Sequence, residues 1–231
     1  GAVNAAIGAG SEARQVAVSI GTNDEDQVIG PLKVTGAVTA AMNASIGASS
    51  QADMRIASID GSLRTGGTSR YVVSAPTNAA VGHNTESVLY VGNLDGDIKG
   101  NVSFDLLSTA PVSAAIGSES RASLRVGNVG DKAAISGAFR GMIVQPAGTI
   151  SAAIGYRSES QVGIANIDGQ VRGAVAVDVT TGAVISAAIG AETLAIGRIG
   201  ELSSTASVGG PLALKTTTGL ITTFAIGDKT T

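Results

Sequence analysis

The sequence predicts an all-β repeat fold, and three observations carry that reading. An Ala-Ala-aliphatic-Gly signature recurs from end to end, with its aliphatic residue at Ile7, Ile46, Val81, Ile116, Ile154, Ile189 and Ile226, 35 to 39 residues apart. Between copies, β-branched residues alternate with polar ones and are interrupted by Gly, Asn and Asp, the pattern of strands and turns. No segment sustains a helical period. The 231 residues read as one elongated domain, 1–231, of six units starting near 7, 46, 81, 116, 154 and 189, with a seventh partial copy near 226. Units held in one phase predict a β-solenoid, in which each unit is a coil and like residues stack about 4.8 Å apart. An antiparallel meander or barrel is the alternative, because Asp-Gly also suits a two-residue hairpin.

Each unit opens with the Ala-Ala-Ile-Gly strand. The aliphatic row Ile7, Ile46, Val81, Ile116, Ile154, Ile189 and Ile226 is expected to stack as the buried core. A second strand, rich in Ser and Glu, leads to an aliphatic column 13 residues after the first: Ile20, Ile59, Leu94, Val129 and Ile167. The sixth unit departs from it, with Ile199 only 10 residues after Ile189. A turn follows, cleanest as Asn93-Leu94-Asp95-Gly96 and Asn166-Ile167-Asp168-Gly169, since Asp bonds nearby backbone and Gly tolerates positive φ. The third strand carries columns such as Ile98/Gly100/Val102/Phe104 and Val171/Gly173/Val175/Val177, with a Gly where another backbone comes close. The expected unit thus has three strands. Its length varies in polar loops such as Asn23-Asp24-Glu25-Asp26.

Composition narrows the function. Hydrophobic residues are 44% but aromatics only 3%, so the core is thin and aliphatic. Charged residues are 14% and mean hydropathy is +0.31, which predicts surface hidden in an assembly. A net charge of −3 and a pI near 5.1 give no basic footprint for nucleic acid. No apolar run is long enough for a transmembrane segment. The absence of cysteine excludes disulfides and thiolate metal sites. The chain begins at Gly1 without an initiator Met, which suits a processed polypeptide.

Residues able to do chemistry are few. The lone histidine, His83, sits in a polar turn, and there is no nucleophile motif or phosphate loop, so no enzyme is expected. The acids fall into register: Asp60, Asp95 and Asp168 form a turn column, and Glu12, Glu86 and Glu159 form another. Arg64, Lys99 and Arg172 lie beyond the turn to balance them. Stacked acids could instead hold calcium, the one cofactor these columns leave open. The dense Gly-Asp pattern of calcium-binding β-rolls is missing, and the expected cofactor is none.

Two stretches resemble known families. Ser160-Gln161-Val162-Gly163-Ile164-Ala165-Asn166 resembles the Gln-x-Gly-x-x-Asn core of curlin repeats, the subunits of bacterial curli fibres. Ala152 to Ser158, Ala-Ala-Ile-Gly-x-x-Ser, is similar to head repeats of trimeric autotransporter adhesins, which form β-rolls. Both resemblances imply a secreted, surface-associated bacterial β-structure without catalytic activity. The expected function is a self-assembling subunit of an extracellular fibre, in a biofilm matrix or on a cell surface. It would polymerise with itself, head to tail, through its terminal strands (Val3, Ala5 and Ile7; Phe224 and Ile226). Gly1-Ala2-Val3 is small and apolar and only Asp228-Lys229 adds charge at the far end, so neither end reads as a cap. The alternative is an adhesin domain that presents a repetitive β-face to a glycan, such as a matrix polysaccharide, or to a surface.

Overall fold

The computed structural model describes residues 2–19, 27–28 and 30–231, and among these every regular element is a strand. Ile20 and the Asn23–Asp26 loop lie outside the described residues. The strands form four parallel sheets that run the length of a β-solenoid of about six coils. The first sheet has seven strands: Val3–Ile7, Met42–Ile46, Thr77–Val81, Val112–Ile116, Thr149–Ile154, Val184–Ile189 and Ile221–Ile226. The second has six, from Glu12–Ala17 to Leu194–Ile199. The third has six strands of two residues each, from Gln27–Val28 to Ser207–Val208, and the fourth has six longer ones, from Leu32–Thr39 to Leu212–Thr218. Each strand pairs with its counterpart one coil on, in register and parallel, as in Ala114↔Ala152 or Val102↔Phe139. The described residues contain no antiparallel pair, which rules out the meander.

The coil therefore has four sides rather than three. The expected third strand is broken at its glycine column, which divides the short third sheet from the fourth. Between the second and third sheets a single parallel bridge per coil joins Ile59, Leu94, Val129, Ile167 and Leu202. Leu202, and not Ile199, holds this column in the last coil. Ile199 pairs with Ile164 inside the second sheet.

The cross-section is wedge-shaped. At its narrow end the first and second sheets lie against each other, close enough for Ser87 Oγ to sit 2.9 Å from Ser113 Oγ. Only small side chains fit there: Ala115, Ala122 and Ala153 form a cluster of their own, beside buried Ser45, Ser160 and Ser186. At the wide end Met54, Ile56, Leu89, Phe104, Leu124 and Ile143 fill the main core between the second and fourth sheets.

The narrow end reverses one expectation. The row Ile7, Ile46, Val81, Ile116, Ile154, Ile189 and Ile226 stacks in register but points outward, from 36% exposed at Val81 to 80% at Ile7. The residue just before each, such as Ala80, Ala115 or Ala153, is wholly buried instead. Successive residues of a strand face opposite sides, and the gap between the two sheets admits an alanine methyl but no branched chain.

Two polar ladders tie the coils together. Asn4 Nδ2 donates to Asn43 Oδ1 and Asn43 Nδ2 to Asn78 Oδ1, both at 2.9 Å. The same amides donate across the narrow gap to second-sheet carbonyls, Asn43 to Ala13 at 2.8 Å and Asn78 to Ala52 at 2.8 Å. Serines continue the row at Ser113, Ser151 and Ser186. At the bend after the second sheet, Asn93, Asn128 and Asn166 each accept through Oδ1 from a backbone N–H one coil on, at 2.9 to 3.0 Å. Every buried amide thus finds a partner, which such groups require.

Candidate functional site

The Asp-Gly column is a row of bends, in which Asp60, Asp95, Gly130 and Asp168 follow the bridge residues of successive coils. Gly130 interrupts the acids. Asp60 is buried and its carboxylate accepts from Arg55 at 3.2 Å, so its partner comes from the second sheet and not from beyond the turn. Burial nevertheless outweighs Arg55 and raises the pKa of Asp60. Burial and then the neighbouring Asp60 raise that of Asp95, against the pull of Arg125. Burial works to lower the pKa of Arg55, but Asp53 and Asp60 together leave it raised. In the glutamate column Arg121 stands between Glu86 and Glu159 and bonds Glu159 at 3.1 Å. Among the described residues no three His, Asp or Glu side chains converge as a metal site.

A carboxyl with a raised folded pKa contributes stability below its ordinary value that is lost as the pH rises through the raised one. Asp95→Asn should therefore raise the melting temperature at pH 7. The gain should vanish below the ordinary value of 3.8, where both forms are neutral. Thermal scans at the two pH values check this, and an equal gain at both would remove the electrostatic cause.

The outer face of the second sheet carries a second arrangement. Arg55, Tyr90, Arg125, Gly163 and Arg198 follow one another in register. The guanidinium carbons of Arg55 and Arg125 lie 5.1 and 5.7 Å from the centre of the Tyr90 ring, one on either side. The next position between two arginines is Gly163, and there the surface opens into a notch of about 250 Å³. Arg125, Arg198, Gln161, Asn128 and Asp168 line it. These residues were not legible as a site, because Arg, Tyr and Gly at one register position make no repeated motif. Only Gln161, Gly163 and Asn166 had drawn attention, through the curlin-like stretch.

The outer face of the first sheet is the opposite in character. Its three rows are Val3/Met42/Thr77/Val112/Ile150/Ile185/Thr222, Ala5/Ala44/Ala79/Ala114/Ala152/Ala187/Phe224 and the exposed isoleucine row. None of these residues is charged. The five expected assembly residues all lie on this face, with Val3, Ala5 and Ile7 in its first strand and Phe224 and Ile226 in its last. Along the corner beside the isoleucine row runs a line of charges. Arg157 bonds Glu192 at 2.8 Å and approaches Glu119 at 3.9 Å, and Lys229 reaches Glu192 at 3.7 Å. His83 is exposed on the same corner, with Nδ1 2.5 Å from Ser118 Oγ.

No family model matches the chain, and neither a curated protein nor a solved structure is found similar to it.

Proposed function

We propose that the chain is the structural subunit of an extracellular bacterial fibre that grows along the solenoid axis by strand pairing between copies. The observation that carries this reading is the uniformity of the joint between coils. All four sheets are parallel and in register, and Ile221–Ile226 extends the first sheet in the phase in which Val3–Ile7 opens it. A stack of copies repeats the pairing that already joins coil to coil within one chain, and a contact of this heterologous kind does not close. The extracellular placement rests on the resemblance of residues 152–166 to curlin and adhesin-head repeats.

Strand counts set the form of the joint. The first sheet has seven strands and the others six. A second copy that continues the second, third and fourth sheets leaves room for one strand at the junction of the first sheet. Ile221–Ile226 already fills that place, and the next copy's Val3–Ile7 competes for it. One strand gives way to the other, a form of strand addition. Cryo-electron microscopy of the purified chain should then show filaments with a rise of about 29 Å per copy, six strand spacings. A rise of about 34 Å would mean that both strands are kept and would overturn the exchange alone. A chain that stays monomeric at all concentrations would sink the fibre.

A second reading, an adhesin domain that binds a glycan, is favoured by one observation: the Arg55–Tyr90–Arg125 ladder and the notch above Gly163. Planar cations and an aromatic ring are groups that stack on sugars and pair with acidic ones. A soluble, non-polymerising chain retained on an acidic polysaccharide would select this reading over the fibre.

A further inference from the structure

The outer face of the first sheet is large, flat and apolar, and its relief is specific. Alanines run up its middle as a trough through six strands. The isoleucine row and the Val3 row stand on either side as ridges. Seven strands at about 4.8 Å, three outward residues wide at about 3.3 Å per residue, cover roughly 30 by 15 Å in projection. Two such faces, rougher than their projection, remove about 1,000 Å² in total, where specific interfaces begin. A patch of this size exceeds the scattered apolar surface of ordinary monomers.

We infer that this face is the contact of a lateral pair, and that its occupant is a second copy of this chain lying parallel to the first. The relief determines the arrangement. A two-fold axis along the solenoid reverses the order of the rows in the partner. With the axis midway between the isoleucine and alanine rows, each isoleucine ridge lies over the other copy's alanine trough. A two-fold axis perpendicular to the solenoid would set isoleucine against isoleucine and leave the troughs empty. The packing that fits is therefore the parallel one, which continues from copy to copy along a filament. Such interdigitation of small and branched residues makes a dry sheet-to-sheet interface. The Glu119–Arg157–Glu192 line then forms the polar rim along one edge, as interfaces of this kind have.

The pair does not depend on axial growth, and the experiment separates the two. Ala114→Lys with Ala152→Lys puts two cations in the trough without touching the buried rows. The circular dichroism spectrum and melting temperature of this variant should match those of the parent chain. If filaments form, those of the parent should be two solenoids wide and those of the variant one, with the rise per copy unchanged. If none form, sedimentation equilibrium should find a dimer for the parent and a monomer for the variant, so that a failed fibre reading leaves the pair testable. A parent one solenoid wide, or monomeric, overturns the inference. So does a folded variant that remains paired. Should the double variant fail to fold, Ile116→Lys at the exposed ridge gives the same readout.

Discussion

Gly117→Ala should cost on the order of 4 kcal/mol, while Gly8→Ala, the same substitution in the same conformation, should cost about 1–2 kcal/mol. The two glycines occupy the corner that follows the isoleucine row, with φ of 143° and 144°. Both backbones lie where an L side chain is strained, so this part of the cost is shared. The surroundings differ. A Cβ on Gly117 would fall 1.4 Å from the carbonyl oxygen of Gly82 in the coil before it, whereas a Cβ on Gly8 meets nothing within 4 Å. Relief cannot come from a side-chain rotation, because the obstacle is backbone. The coils beginning near 81 and 116 would have to part, and with them the bond from Gly117 N–H to Ile154 carbonyl on the other side, now 2.7 Å. In a stack where each coil rests on its neighbours, one parted joint weakens the whole array. Urea denaturation of the two variants gives the comparison. Equal midpoint shifts would mean that the corner glycines answer only to their own φ and not to the stacking of coils.

The period, the phase and the solenoid were legible because stacking demands like residues at like positions. Ile59, Leu94, Val129 and Ile167 read as a column and are one. The orientation of the first sheet was not legible, and the reason is physical. Alternation shows which residues share a side: Val3, Ala5 and Ile7 on one, Asn4 and Ala6 on the other. It does not show which side is inside. Hydrophobicity ordinarily decides, and here it decides wrongly. The Asn4, Asn43 and Asn78 row can be buried because each amide is satisfied by the next and by the second sheet's carbonyls. A single unit has neither partner, so no unit read alone reveals the ladder. The expected balance of charges failed for a similar reason. Asp60 turns back to Arg55, five residues earlier, because the bend brings the end of the second sheet beside it. Leu202 was passed over although it lies at the right interval, because Ile199 looked like the better aliphatic. The Arg55–Tyr90–Arg125 ladder has the repeat's spacing without its residue types, and only the register exposes it.

The reversal of the first sheet makes Ala115 and Ile116 the sharpest test of the fold. Ala115→Asp should prevent folding or cost at least about 4 kcal/mol, while Ile116→Asp should cost only about 1 kcal/mol. Ala115 is 0% exposed and packs with Ala122 and Ala153 where the two sheets meet. A carboxylate there would lie among methyl groups and serine hydroxyls already engaged with one another, and a desolvated charge without a cation is among the costliest changes to a core. Ile116 is 44% exposed on the outer face. Aspartate at that position loses some apolar contact and strand propensity but keeps its charge in water. Far-ultraviolet circular dichroism and thermal unfolding of the two variants decide the matter. A folded Ala115→Asp beside an unfolded Ile116→Asp would mean that the isoleucine row is the core after all. With the faces as found here, Ile116→Asp has a further consequence. It leaves the solenoid intact while placing a charge on the ridge that meets the second copy, so the residue most suggestive of a core should affect association far more than stability.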